Sequence, residues 1–261
     1  MAMTTDAVLE LIKETAEQVI RPRWRALSSG DIAEKNPGDF VTVADQESEV
    51  LLTEALQRAY PDALIVGEEA TAADPSLVDG LCRAEHAFVV DPVDGTRNFV
   101  EGTADYAVMI GEVRAGEIVR GWIWQPEHDA AWVAERGAGT WRNSERVTRS
   151  APDPQHLRAE TSMRNLRRSP PPPQIAELNW TAFSCGIDYP KLCAGGNDVL
   201  IYRAIKPWDH IPGALMVREL GGVARLMDGQ DYQGQTRGGP LVVTAADEGW
   251  PIVADWVTGA L

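Results

Sequence analysis

The stretch "AFVVDPVDGTRNF", residues 87–99, runs four apolar residues straight into two acids, Asp91 and Asp94, with a proline between them and Gly95–Thr96 behind. Two carboxylates this close repel each other, so either one holds a proton or a cation sits between them. Pro92 restricts φ and turns the chain directly after Asp91, while Gly95 permits backbone conformations closed to other residues. The turn can aim both carboxylates, and the N–H groups of Gly95 and Thr96, into one space, where such N–H groups can hold a phosphate oxygen. Oxygen ligands without clustered His or Cys suit Mg²⁺ rather than zinc. His86, His128, His156 and His210 are scattered, and His210 reads as an ordinary helix residue. An EF-hand loop needs an acidic ladder that this segment lacks. Phosphatases of the haloacid dehalogenase type separate their two aspartates by one residue; here Pro92 and Val93 intervene, which argues against an aspartyl-phosphate mechanism.

Two further apolar segments arrive at acids: "IVGEE" at Glu68 and Glu69, and "PWDH" at Asp209. Each alone has a plain reading, Glu68 as a solvated strand end and Asp209 as a helix cap.

The elements that must carry these groups follow from patterning. Val8, Leu11, Ile12, Thr15 and Val19 recur at helical spacing. "EKNPGDF" is a loop, and a second helix is expected from Asp45, with Thr42 and Asp45 forming a capping box. "ALIVGEEA" and "AFVV" read as short strands, the second stopping at Asp91. Residues 107–113, 118–125 and 130–135 read as a meander, with a hairpin turn at "RGAGTW". "RNLRRSPPPPQ" is expected to be a stiff, exposed polyproline loop with its arginines as a solvated face. "PWDHIPGALMVRELGG" reads as a helix with Asp209 as N-cap, Pro212 in the first turn and Gly221–Gly222 as the stop.

With 261 residues, 44% of them hydrophobic, the chain can bury a sizeable core. A formal charge of −15 argues against nucleic acid or an anionic membrane as partner, and a phosphate site would need a local cation. Cys82, Cys185 and Cys193 form no C-x-x-C pair and fit reduced thiols. The N-terminal stretch lacks a signal-peptide pattern, and no apolar run reaches the ~18 residues of a membrane helix, so a soluble, cytoplasmic protein is expected.

Taken together, the motifs resemble the inositol monophosphatase family over nearly the whole chain. "DPVDGTRNF" matches its core signature, joined by "GEE" at Gly67–Glu69, "WD" with the following "ELGG" at Trp208–Gly222, and "KNPGDFVTVAD" from Lys35 to Asp45. The resemblance implies a layered α/β/α/β/α sandwich, a homodimer, and Mg²⁺-dependent hydrolysis of a small phosphate monoester with two or three ions. The expected division is an N-terminal lobe with the metal motifs, residues 1–150, and a C-terminal lobe with the substrate-specificity segment and the last metal ligand, 151–261. By the same resemblance, Glu68, Asp91 and the Val93 carbonyl would hold one metal, and Asp91, Asp94 and Asp209 the second. Thr96 and Asp45 would orient the attacking water, with Glu68 also counted in the catalytic set. Gly95, Thr96 and Asp94 would border the phosphate, and Lys35 would lie near it or near a third metal. Lithium inhibition would be expected at the second site.

The substrate end departs from the pattern. Inositol-hydrolysing members place a glutamate seven residues before the "WD" aspartate, and Tyr202 stands there, followed by Arg203. Ser184, Cys185 and Asp188 fall at positions expected to face substrate. Tyr202 either packs at a strand end or removes an acceptor for hydroxyl groups, which puts inositol 1-phosphate in doubt. Histidinol phosphate is the first alternative. A nucleotide 3′-phosphatase would need contacts such as Tyr202, Arg203 and the arginines from Arg164 to Arg168. From another class, a catalytically silent scaffold is the competing reading.

Overall fold

The computed structural model describes residues 2–81, 83–236 and 239–261; Cys82 lies outside them. The chain opens with α1 (Thr5–Thr15), capped by the Thr4 hydroxyl, with Val8, Ile12 and Thr15 facing inward as the spacing predicts. A hairpin of β1 (Ile32–Asn36) and β2 (Asp39–Thr42) leads into α2 (Val43–Ala59). The capping box of Thr42 and Asp45 is formed, but the helix begins at Val43, not Asp45. The box requires its acid at the third helical position, where Asp45 Oδ2 accepts the Thr42 N–H at 2.8 Å.

Next come β3 (Leu64–Gly67), α3 (Glu68–Ala73), α4 (Ser76–Leu81), β4 (His86–Asp94) and α5 (Thr96–Glu101). The meander follows as β5 (Ala107–Arg114), β6 (Glu117–Gln125) and β7 (Ala130–Glu135), then β8 (Gly139–Arg142) and β9 (Glu145–Arg146). These strands form a seven-stranded sheet in sequence order, with β3 parallel to β4 and the rest antiparallel. "RGAGTW" makes the β7–β8 turn as expected, with Gly137 at φ +77°.

The rest of the chain supplies β10 (Leu157–Thr161), α6 (Arg164–Arg168), β11 (Ile175–Trp180), α7 (Cys185–Cys193), β12 (Val199–Tyr202), α8 (Pro207–Glu219), β13 (Val223–Leu226), β14 (Leu241–Thr244) and α9 (Gly249–Ala260). Its sheet has the order β11-β10-β12-β14-β13. The proline run is a mostly exposed connection, but the arginines before it form the short helix α6, anchored by buried Leu166. In α8, Pro207 takes the first helical position, where a missing N–H costs nothing. Asp209 therefore lies inside the first turn and is not the N-cap, and Pro212 falls in the helix interior.

Alternation along β4 shows the layering. Phe88 and Val90 pack with Val8, Ile12, Leu52 and Leu56 of α1 and α2. Ala87 and Val89 pack on the other face with Tyr189, Ile211 and Leu215 of α7 and α8. The same helices cover Leu200 and Val243 of the second sheet, whose far face packs on Leu166, Val253 and Val257 of α6 and α9. Helix, sheet, helix, sheet, helix is the expected five-layer sandwich. Gly111 and Gly121 let α8 sit close on the first sheet: a Cβ on Gly121 would lie 2.8 Å from the Pro212 backbone. Among the described residues, no helix is long and apolar enough to cross a membrane.

Candidate active site

Strand β4 does not stop at Asp91. It continues to Asp94 through a bulge, with Asp91 opposite Met109 and Asp94 opposite Ala107 on β5. A separation of three residues on a regular strand would put the two acids on opposite faces. The one extra residue in the bulge, where Pro92 is tolerated, turns both to the same face. Gly95 then adopts φ +83° and ψ +37° to start α5, and a Cβ there would meet the Ser184 Cβ at 2.9 Å and the Asp105 carbonyl oxygen at 3.0 Å.

Glu68 arrives at the start of α3 and Asp209 in the first turn of α8. Carboxylate oxygens of Glu68, Asp91 and Asp209 lie within 4.8 Å of one another. With Val93, Asp94, Gly95 and Thr96 they line a cleft of about 200 Å³ that also includes Asp39, Phe40, Arg97, Phe183 and Lys206. A larger cavity, about 1110 Å³, lies between α1 and β6–β8 and gathers none of these acids. Burial, reinforced by Glu68, Asp94 and Asp209, holds the Asp91 carboxyl well above the usual range. Burial and Glu68 do the same for Asp209. Asp91 Oδ1 is buried without a hydrogen-bond partner. An orphaned carboxylate oxygen among mutually repelling acids is a chemical fit for a divalent cation with oxygen ligands.

Asp94 is held differently. It accepts from the Ser184 hydroxyl, from the Gly186 N–H at 2.7 Å and from the Cys185 N–H at 3.1 Å. Burial pushes its carboxyl up to about 6, with these three donors working against the rise. Thr96 Oγ1 lies 3.1 Å from Asp45 Oδ1 and 3.0 Å from the Val93 carbonyl oxygen, so its one proton serves one of them at a time. Burial pushes Asp45 up to about 7 against the Thr42 hydrogen bonds. Lys35 Nζ sits 2.9 Å from both Glu68 and Glu69. Burial opposes its charge, but those two acids hold the ammonium above its ordinary value.

The structure thus brings Glu68, Asp91, Val93, Asp94, Gly95, Thr96 and Asp209 to one cleft, with Lys35 and Asp45 directly behind it. It does not turn Ser184, Cys185 and Tyr202 to that cleft. Ser184 and Cys185 support Asp94 from inside, and Tyr202 packs at the end of β12 with its hydroxyl on Asp188 at 3.1 Å. Cys185, Asp209 and His210 also group within 4.8 Å. There, however, burial keeps the thiol protonated, and Tyr189 hydroxyl occupies the imidazole Nδ1 at 3.2 Å. The patterning missed Lys206, which reaches Glu68 at 3.5 Å, and Glu49, whose carboxylate accepts the Glu69 and Ala70 N–H groups at 2.7 and 2.8 Å and so sets the start of α3. Lys206 gives no signal beyond its place before "PWD". Glu49, an acid beside the apolar run of α2, could have been suspected.

Residues 2–251 match the inositol monophosphatase family. The chain is 30% identical over 203 residues to a putative Nus factor SuhB of Neisseria meningitidis, covering 74% of this chain and 76% of the relative. It is 31% identical over 198 residues to an inositol-1-monophosphatase of Rhizobium meliloti, covering 72% of each. A calcium-bound family protein from Staphylococcus aureus shares the fold at 18% identity, with a TM-score of 0.80 over 98% of this chain and 96% of that one. With a family match that runs from the second residue into α9, and relatives at 30% and 31% identity over about three quarters of the chain, the chain belongs to the inositol monophosphatase family.

Proposed function

We propose that the chain is a Mg²⁺-dependent phosphomonoesterase acting on a small polyol, sugar or amino-alcohol phosphate. The observation that carries this is the buried, unpartnered Asp91 Oδ1 within a convergence of three carboxylates from separate parts of the chain, with Asp94 and Thr96 beside it. Glu68, Asp91 and the Val93 carbonyl would hold one ion, and Asp91, Asp94 and Asp209 a second. Such ions, when bound, lower the pKa of water and offset charge on a departing alkoxide.

The protein's own part is positioning and proton handling. Thr96 Oγ1 can accept a hydrogen bond from water while donating to Asp45 Oδ1, and Asp45, with its carboxyl near 7, can take up a proton at neutral pH. The Thr42 N–H and hydroxyl, at 2.8 and 2.5 Å, fix the opposite Asp45 oxygen so that Oδ1 faces Thr96. Gly95 and Thr96 present backbone at the cleft wall for phosphate oxygens. Lys35 and Lys206 partly neutralise Glu68.

Buried Tyr202 offers no acid to substrate hydroxyls, which favours a substrate other than inositol 1-phosphate, with histidinol phosphate the first to assay. A panel of phosphate esters with Mg²⁺, with Li⁺ added and with EDTA tests the reading. Phosphate release should need Mg²⁺ and be lost in Asp94→Asn; full turnover in EDTA would refute it. Some relatives are named Nus factor and others inositol-1-monophosphatase, and the second reading is a catalytically silent scaffold on the same fold. Metal binding without hydrolysis of any ester would favour it, whereas retention of every motif acid and of Thr96 favours the enzyme.

A further inference from the structure

Beyond the cleft, a cavity of about 650 Å³ is lined by Ser162, Met163, Arg164, Asn165, Arg168, Ser169 and Arg203. Arg164 and Arg168 lie one helical turn apart on α6 and so share a face. Arg203 joins them because β10 and β12 run parallel side by side, and Ser162 and Arg203 follow directly from their ends. In a chain of net charge −15, these three guanidinium groups make no ion pair, hydrogen bond or ring contact among the described residues. A solvated arginine face would be unremarkable on a convex surface. Three unpaired cations around one concavity form a fork-like donor set suited to a phosphate.

Two links tie this cavity to the acid cleft. Arg203 is three residues from Lys206, which lines the cleft, so their Cα atoms are at most about 11 Å apart. Phe183, also on the cleft wall, is 57% exposed and holds φ +57°, a costly conformation for an aromatic residue. Its ring lies 6.0 Å from that of Trp180, itself 41% exposed, and Arg167 of α6 sits 5.4 Å over Trp180. An apolar aromatic shelf therefore runs from the acids toward the arginines.

We propose that the arginine cavity is a subsite for a second phosphate of the substrate, carried across a ring from the scissile one. The assignment rests on the phosphomonoesterase reading of the cleft. A ring lies along Trp180 and Phe183, the acids and their cations take one phosphate, and Arg164, Arg168 and Arg203 take the other.

Two measurements test it. In EDTA the acid cleft repels anions, so calorimetric titration with inorganic phosphate reports the arginines. Saturable binding is expected, weakened about tenfold or more in an R164Q/R203Q variant, since each charge-assisted bond is worth about that factor. Both side chains are exposed, so the unfolding temperature should not move. With Mg²⁺, the ratio of kcat/KM for adenosine 3′,5′-bisphosphate to that for adenosine 3′-phosphate should fall about tenfold in the same variant. Unchanged phosphate binding in the variant, or none in the wild type, overturns the subsite. Weakened phosphate binding with an unchanged ratio overturns the assignment to substrate and makes a free anion the ligand. If neither ester is cleaved while the variant loses phosphate binding, the assignment to substrate is overturned and the anion site stands, whereas the hydrolase reading fails only if the whole ester panel gives no phosphate with Mg²⁺.

Discussion

Replacing Ser184 by Ala removes one of three donors to the buried Asp94 carboxylate and leaves the Gly186 and Cys185 N–H groups in place. A hydrogen bond to a charged group contributes about 1.5–3 kcal/mol, and about 1.4 kcal/mol corresponds to one pKa unit, so the Asp94 carboxyl should rise by about 1–2 units from its value near 6. Magnesium and the proton compete for this carboxylate. The midpoint of Mg²⁺ affinity against pH should therefore move up by the same about 1–2 units, which at pH 7 weakens binding about two- to tenfold and at higher pH much less. Calorimetric Mg²⁺ titrations of both proteins across the pH range around the midpoint read this directly.

Metal-free stability should move in the matching direction. Asp94 titrates near 6 in the fold against 3.8 for a free aspartate, so its stabilising contribution is present below 3.8 and is lost as pH rises through 6. The Ala variant should be about as stable as wild type in acid and less stable above neutrality. An affinity gap that is absent, or constant at every pH, would show that Ser184 does not act through the Asp94 charge.

Asp91→Asn should raise metal-free stability near neutral pH by about 1–3 kcal/mol, because it removes a buried acid that the fold must either hold charged beside Glu68, Asp94 and Asp209 or neutralise with a proton, while lowering Mg²⁺ affinity; urea unfolding in EDTA that shows a loss instead contradicts the electrostatic account. Gly67→Ala should cost about 1–3 kcal/mol, because the new Cβ would stand 2.3–2.6 Å from the Glu49 carboxyl and displace it from the start of α3; an unchanged unfolding midpoint and unchanged Mg²⁺ affinity would argue against Glu49 as the support of Glu68.

Much of the framework was legible because it depends on near neighbours. The Thr42–Asp45 box, the inward face of α1, the meander and the Gly221–Gly222 stop all follow from side chains within a few residues of one another. The misreadings came where a partner strand or helix intervened. Pro92 looked like the end of a strand, but pairing with β5 carries the strand through it as a bulge. Asp209 looked like a cap, but Pro207 claims the first helical position. Arg164–Arg168 looked like part of a loop until Leu166 found the α9 layer.

The order of the motifs, the kinds of ligand atom and the glycine after Asp94 were determined by the sequence alone, since they depend on residue chemistry and local sterics. Only the tertiary structure decided that Asp91 and Asp94 share a face, that Lys35 and Lys206 lean on Glu68, that Tyr202 turns inward to Asp188, and that Arg203 meets Arg164 and Arg168. Each of these depends on sheet register and on how closely α8 docks over Gly111 and Gly121, and such distances arise from packing between segments far apart in the chain.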